Sequence, residues 1–212
     1  MPASIYPRKP LFPMFLRLEA RRCVVAGAGA VATGKILGLL AAGARVLVIA
    51  PAATPRVAAL VRAGKLAWHR RKFRAADLSG SFLVVAATSS PAVHERIWRA
   101  ARRRNVLCNV VDDPARCDFF YPAIVRRGSL QIAISTGGRS PALAHQLRKS
   151  LARQFGSEFA GWLAHLGRVR SRLQLRELNI ARRRRLAHRA VRHGLAAHFT
   201  STNARHKVVP TR

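Results

Sequence analysis

Short apolar runs alternate with segments of helical spacing through the first half of this chain. Within Arg22 to Lys35, RCVVAGAGAVATGK, an apolar run ends in Gly27-Ala28-Gly29 and a small-residue helix follows at once. The next run, Ala44 to Ala50 (ARVLVIA), has the near-continuous apolar character of a strand buried on both faces of a parallel sheet. Gly43 precedes it, where the first helix must stop. Thr54 to Gly64 reads as a helix, and Leu66 to His69 as a short strand. Phe82 to Ala87 is a further strand, and Thr88-Ser89-Ser90-Pro91 opens a helix running to about Arg103. Asn105 to Val111 completes the series. Strands alternating with helices predict a doubly wound parallel sheet, with ligands beyond the carboxyl ends of its strands.

The pattern changes after Cys117. Phe119 to Val125 and Leu130 to Ser135 are β-type runs separated by Arg126-Arg127-Gly128-Ser129, a hairpin signal. Thr136-Gly137-Gly138-Arg139 reads as a flexible turn, and Ser140-Pro141 starts a helix with Ser as its cap. Helices are expected over Ala142 to Phe155, Glu158 to Leu175, and Glu177 to about His198. Trp162, Leu166, Val169 and Leu173 keep helical spacing and are expected in a core. The expected class is α/β: a Rossmann-type domain over residues 1–118, a hairpin region over 119–150 and a helical domain over 151–212.

The glycine turn carries the first chemical signal. Gly27-x-Gly29-x-x-Ala32 has the G-x-G-x-x-A form of a dinucleotide fingerprint, set between a strand and a helix. Backbone N–H groups and the helix dipole converge on such a turn and favour a pyrophosphate. Candidate cofactor contacts are Gly27, Gly29, Ala30 and Val31 there, with Thr88 at a later strand end. Pro51 and Ala52 stand where an acidic residue commonly holds the adenosine ribose, so this position does not separate NAD from NADP. Arg56 lies nearby and could meet a 2′-phosphate.

Composition adds constraints. Half of the 212 residues are hydrophobic, enough for a real core. Three cysteines without metal-type spacing predict neither a disulfide framework nor a metal site, and a reducing cytoplasmic setting is expected. Met1 to Pro13 holds four prolines and no sustained apolar segment, so no signal peptide is expected. Ile36 to Ala50 is broken by Gly43 and Arg45 and reads as helix, turn and strand, so no membrane partner is expected. The net charge of +31 implies anionic partners or a solvated arginine-rich surface, with Arg182 to Arg185 a local cluster. No zinc-finger or RNP-type motif accompanies it.

Three motifs then occur in order: FPMFLRLEARRCVVAGAGAVATGK, AGARVLVIAP and CNVVDDPARCDFFYPAIVRRGSLQIAISTGGRSPALAHQLR. Together they resemble the precorrin-2 dehydrogenase/sirohydrochlorin ferrochelatase family, the dehydrogenase module of siroheme synthase, from Phe12 to about Arg192. A chain of 212 residues leaves no room for the methyltransferase domain of the larger synthases, so the stand-alone form is expected.

The resemblance implies NAD-dependent oxidation of precorrin-2 to sirohydrochlorin and, in some members, insertion of Fe2+ as substrate metal to give siroheme. It also implies an interlocked homodimer, with the Tyr121 to Ser135 hairpin as candidate inter-subunit element. The family's functional aspartate matches Asp112, whose other reading is a cap on the turn before Pro114. Thr136, Gly137, Gly138 and Arg139 are candidate substrate contacts. Arg148 and Lys149 serve equally as carboxylate partners or solvated helix residues, and His145 has no partner at metal spacing. The chain departs from the pattern at Gly34, where arginine is usual, at Ser89-Ser90, where an acidic pair is common, and at Thr136, which is serine in some members. The alternative reading is a basic Rossmann-like nucleic-acid-binding protein without catalysis; a third is an NAD-linked oxidoreductase of unrelated substrate.

Overall fold

The computed structural model describes residues 10–206. Five parallel strands form the first sheet: β1 (Arg22–Ala26), β2 (Arg45–Ile49), β3 (Ala67–His69), β4 (Leu83–Ala86) and β5 (Leu107–Val110). Their order is β3-β2-β1-β4-β5, so the direction of winding reverses between β1 and β4. The inner strands are apolar throughout because both of their faces are covered. Cys23, Val25, Val48 and Val85 pack with Ala32 and Ile36 of helix α1 (Ala30–Ala41) and Val57 of α2 (Pro55–Arg62). Val24, Ala26, Val84 and Ala86 point the other way, toward Ile97, Ala100 and Ala101 of α3 (Pro91–Arg102). The period-two alternation of a strand thus sorts adjacent residues into two separate cores.

The expected helices and strands of this unit are present, each trimmed by one or two residues at its ends. A short 3-10 segment, Ala75–Leu78, was not foreseen. It is organised by Asp77, which is 6% exposed and accepts from both terminal nitrogens of Arg71, at 2.5 and 2.9 Å, and from the Arg74 amide at 2.8 Å. Burial pushes the Asp77 carboxyl upward, but these donors outweigh it and hold it below its ordinary value.

The chain divides into two compact units, residues 1–121 with 137–139, and 122–136 with 140–212. In the second unit, β6 (Ala123–Arg127) pairs antiparallel with β7 (Leu130–Ile134) through a two-residue Gly128-Ser129 turn. The hairpin is therefore tighter than expected, with Arg126 and Arg127 inside the strand. Its first strand also starts later than Phe119. The Asn109 side chain donates to the Phe119 carbonyl at 2.8 Å, and Phe119 packs on the first core, which withdraws it from strand pairing.

Three helices follow, α4 (Pro141–Gln154), α5 (Glu158–Arg176) and α6 (Ile180–His206). The Ser140 hydroxyl caps α4 by accepting from the Leu143 amide. Arg127 pins the hairpin to the other end of that helix, donating to the carbonyls of Ala152 and Phe155, each at 2.8 Å. These carbonyls lack intrahelical partners and lie at the negative end of the dipole, so a guanidinium suits them.

Two expectations for the helices are corrected. Helix α6 begins at Ile180 rather than Glu177, because the Asn179 side chain accepts from the Arg182 amide and caps it there, while Glu177 accepts from the Asn179 amide. Trp162, Leu166, Val169 and Leu173 are half-buried rather than core; on α5 only Phe159 is buried among the described residues. Helices α5 and α6 pack as a thin pair, with Gly194 so close to Trp162 that a Cβ there would lie 2.4 Å from its indole nitrogen. A thin pair encloses little space, so the stripe stays partly open. Among the described residues no helix is long and apolar enough to cross a membrane.

Candidate functional site

The site is built from the carboxyl ends of β1, β2, β4 and β5. After β1 the chain turns at Gly27 with φ +108°, and its amide donates to the Ile49 carbonyl at the end of β2. A Cβ on Gly27 would lie 2.1 Å from the Ala87 carbonyl oxygen, so the turns after β1 and β4 approach closely only because this residue has none. Gly29 differs: nothing lies within 4 Å of the place its Cβ would take. It is the N-cap of α1, no side chain caps the helix, and its first turn contains no acidic residue.

The first N–H groups of α1, on Ala30, Val31 and Ala32, therefore face an open space bordered by positive partial charge. Val31 is exposed, whereas Ala32 is buried against the sheet. This arrangement fits a dinucleotide pyrophosphate: it has donors, an approach without a side chain, and no competing carboxylate.

Two threonines that the sequence reading did not single out stabilise this turn. The Thr33 hydroxyl donates to the Gly29 carbonyl at 2.8 Å and shares a 3.1 Å hydrogen bond with the Thr54 hydroxyl. The Thr54 amide donates to the Ala28 carbonyl at 3.1 Å. The signals for them were a threonine four residues after a helix cap and the Thr54-Pro55 helix start. Pro51 and Ala52 are exposed beyond β2, and no carboxylate stands there. Thr88, beyond β4, is half-buried and its hydroxyl accepts from the Ser90 amide at 3.4 Å.

Asp112 lies two residues beyond β5 in the left-handed region, with φ +60°, and is exposed. Its neighbour Asp113 is the structural acid. Asp113 pairs with Arg116, whose guanidinium also reaches Glu95 of α3 at 2.6 Å. Asp113 stands at the N-cap of the following 3-10 turn without a side-chain capping hydrogen bond, its carboxylate being taken by Arg116, and Asp112 makes no hydrogen bond or ion pair among the described residues. The Cys117 thiol braces the turn from inside, 3.2 Å from the carbonyls of Val110 and Asp113.

Lys35 reaches this turn from α1, with Nζ 3.6 Å from the Tyr121 ring centroid and its charge felt by Asp112 and Cys117. Burial pushes the Lys35 ammonium below its ordinary value, against the opposing pull of those two groups. The buried thiols of Cys23 and Cys108 are pushed up to about 11 and about 12, so both stay protonated and inert near neutrality.

The predicted glycine-turn residues, Thr88 and Asp112 are thus brought to one end of one sheet. Gly137, Gly138 and Arg139 group with the same unit, the two glycines at φ +61° and +81°. Thr136 belongs to the second unit, where its hydroxyl donates to the Ser140 carbonyl at 3.1 Å and accepts from the Ser140 amide at 3.2 Å. Among the described residues no group of three His, Cys, Asp or Glu could hold a metal ion.

Comparison with known proteins places this geometry. The family described as "Putative NAD(P)-binding" matches residues 14–123, and the one described as "Sirohaem biosynthesis protein central" matches residues 127–154. Siroheme synthase 1 of Aeromonas salmonicida is 38% identical over 172 residues, 81% of this chain and 37% of that protein. The siroheme synthase of Nitrosospira multiformis is 39% identical over 183 residues, 84% of this chain and 39% of that protein. The chain thus spans well under half the length of the curated relatives it matches. Among solved structures, the precorrin-2 dehydrogenase SirC is 27% identical with a TM-score of 0.75, covering 84% of this chain and 88% of that one. With a NAD(P)-binding module over half its length, a sirohaem-synthase central segment after it and the fold of SirC, this chain belongs to the precorrin-2 dehydrogenase family of siroheme biosynthesis.

Proposed function

We propose that this chain oxidises precorrin-2 to sirohydrochlorin with NAD. The observation that supports this best is the likeness to a precorrin-2 dehydrogenase over 84% of the chain, with the glycine turn after β1 and the exposed Asp112 after β5 at the same end of one sheet. The N–H groups of Ala30 and Val31 would hold the pyrophosphate, Gly27 and Gly29 would admit it, and Pro51, Ala52 and Thr88 would border the rest of the cofactor. When bound, the nicotinamide accepts a hydride from the substrate. The accompanying proton needs a base, and Asp112 is suited to take it: it is exposed, has no ion-pair partner among the described residues, and is held by a braced turn. Thr136, Gly137, Gly138 and Arg139 are the proposed substrate contacts. The positive charge of the chain would draw in a polycarboxylate tetrapyrrole.

In members that go on to siroheme, Fe2+ is a substrate, and Asp112 could take the pyrrole protons that the metal displaces. The protein is further proposed to act in the cytoplasm as a homodimer. Exposed Ile124 of the hairpin, with Leu143 and Leu147 one turn apart on α4, supports pairing with a second copy. The test is to incubate the protein with enzymatically generated precorrin-2 and NAD without metal, following sirohydrochlorin absorbance and NADH together. Matched NAD-dependent appearance of both is expected. Absence of both, while a known dehydrogenase works in the same mixture, would overturn the proposal and restore nucleic-acid binding as the leading account.

A further inference from the structure

Helix α6 carries a charge pattern that its packing does not use. Its inner face is small: Ala187, Ala190, Val191 and Gly194 are half-buried, and Gly194 lies against Trp162 of α5. On the outside, Arg184, Arg185, Arg189 and Arg192 are exposed and have no carboxylate partner among the described residues. No Asp or Glu occurs anywhere in the helix. Arg182, at its start, is the one paired with Glu177, at 3.3 Å. The unpaired arginines border a shallow, open concavity of about 600 Å³ that also includes Leu186 and His188.

Holding these cations together has a cost. Arg185 and Arg189 are four apart and Arg189 and Arg192 three apart, so like charges face each other on adjacent turns and destabilise the helix. A bound anion would relieve that repulsion. The cluster from Arg184 to Arg192 spans about 12 Å along the axis, a bounded patch comparable in breadth with a tetrapyrrole ring and its acidic arms. Guanidiniums grip carboxylates through paired N–H donors, and Leu186 offers an apolar contact to a macrocycle face.

Other polyanions suit the patch less well. A membrane surface would need an apolar helix face to insert, and that face already lies on α5. The same arginine face of a second copy would bring like charges together here. Nucleic acid calls for a basic groove that tracks a long backbone, whereas these unpaired arginines extend over only about 12 Å.

We propose that the outer face of α6, with Arg184, Arg185, Arg189 and Arg192 around Leu186, is a binding site for polycarboxylate tetrapyrroles. This rests on the tetrapyrrole reading of the preceding section and adds to it a recognition surface for the acidic side chains of substrate or product. The test uses uroporphyrin, a stable octacarboxylic tetrapyrrole, titrated by fluorescence into the full chain and into the double variant Arg185→Gln/Arg189→Gln. Circular dichroism checks that both are folded.

The variant is expected to bind uroporphyrin about tenfold more weakly or worse, as for loss of two charge-assisted carboxylate contacts. Its affinity for dicarboxylic deuteroporphyrin should change little. Equal uroporphyrin affinity in the two proteins, or no binding by the unmodified chain, overturns the proposal. So does displacement of the porphyrin by a single-stranded oligonucleotide at equal total charge, which would make the patch a nucleic-acid surface. The readout needs no turnover: a chain that binds uroporphyrin through these arginines but forms no NADH refutes the dehydrogenase reading alone, and the converse refutes this site alone.

Discussion

Gly27 and Gly29 sit two residues apart in one motif, yet the structure assigns them different tasks, and alanine at each position should separate those tasks. At Gly27 an added Cβ would meet the Ala87 carbonyl oxygen at 2.1 Å and its carbon at 2.7 Å, and the backbone would be held at φ +108°. The backbone conformation costs about 1–3 kcal/mol for a residue with a side chain, and overpacking against a fixed carbonyl adds about 1–3 kcal/mol. Gly27→Ala should therefore lose about 2–6 kcal/mol, a fall in Tm of roughly 4–24 °C for a chain of this length. Gly29→Ala meets nothing within 4 Å and keeps an extended backbone at φ −77°. Its cost is that of a poorer N-cap, about 1 kcal/mol, while the new methyl group stands where a pyrophosphate would approach. Thermal melts and NAD titrations of the two variants decide the matter. Gly27→Ala should lose stability first, and Gly29→Ala should lose NAD affinity with little change in melting. A Gly27→Ala protein that melts with the unmodified chain, or a Gly29→Ala protein with undiminished NAD affinity, would refute the reasoning.

Asp112→Asn should lower kcat for precorrin-2 oxidation by about 10²–10⁴-fold, with melting unchanged, because asparagine tolerates the left-handed backbone that Asp112 adopts. Steady-state kinetics beside a melt checks both halves. Asp77 gives a pH dependence with a definite sign. Its carboxyl is held below the ordinary value, so its contribution is present above the unfolded value of about 3.9 and is lost as pH falls further through the folded value. Asp77→Asn should cost about 1–3 kcal/mol at neutral pH and flatten the acid limb of the stability curve, measured by urea unfolding at a series of pH values. Arg127→Ala removes the donors to the Ala152 and Phe155 carbonyls, and loss of these charge-assisted bonds should cost about 1.5–3 kcal/mol, read from the same unfolding assay. With Pro51 and Ala52, proposed to border the ribose, offering no carboxylate, NADP should replace NAD with less than about tenfold loss in kcat/KM, a modest discrimination.

The parallel sheet was legible because a strand covered on both faces must be apolar at nearly every position, and ARVLVIA and FLVVAA have that character. The glycine turn was legible because the backbone after β1 adopts a conformation and a close approach that only a residue without a side chain allows. Caps were readable where the chemistry is local, as at Thr54-Pro55 and Ser140-Pro141. By itself, then, the sequence determined the α/β class, the position of the glycine turn and the existence of a hairpin and helices after it.

Tertiary structure decided the rest. It set the strand order that puts β1 beside β4, and with it the approach of Gly27 to Ala87. Two adjacent aspartates are nearly equivalent as letters; Arg116, itself tied to Glu95 on α3, takes Asp113, while Asp112 has no ion pair among the described residues. Helical spacing marked Trp162, Leu166, Val169 and Leu173 as a stripe, but how deeply a stripe is buried depends on the thickness of what covers it, and a two-helix layer covers little. Patterns set by one residue's own backbone or by burial on every side survive in a linear reading. Those set by which distant charge or helix arrives beside a residue exist only once the chain has folded.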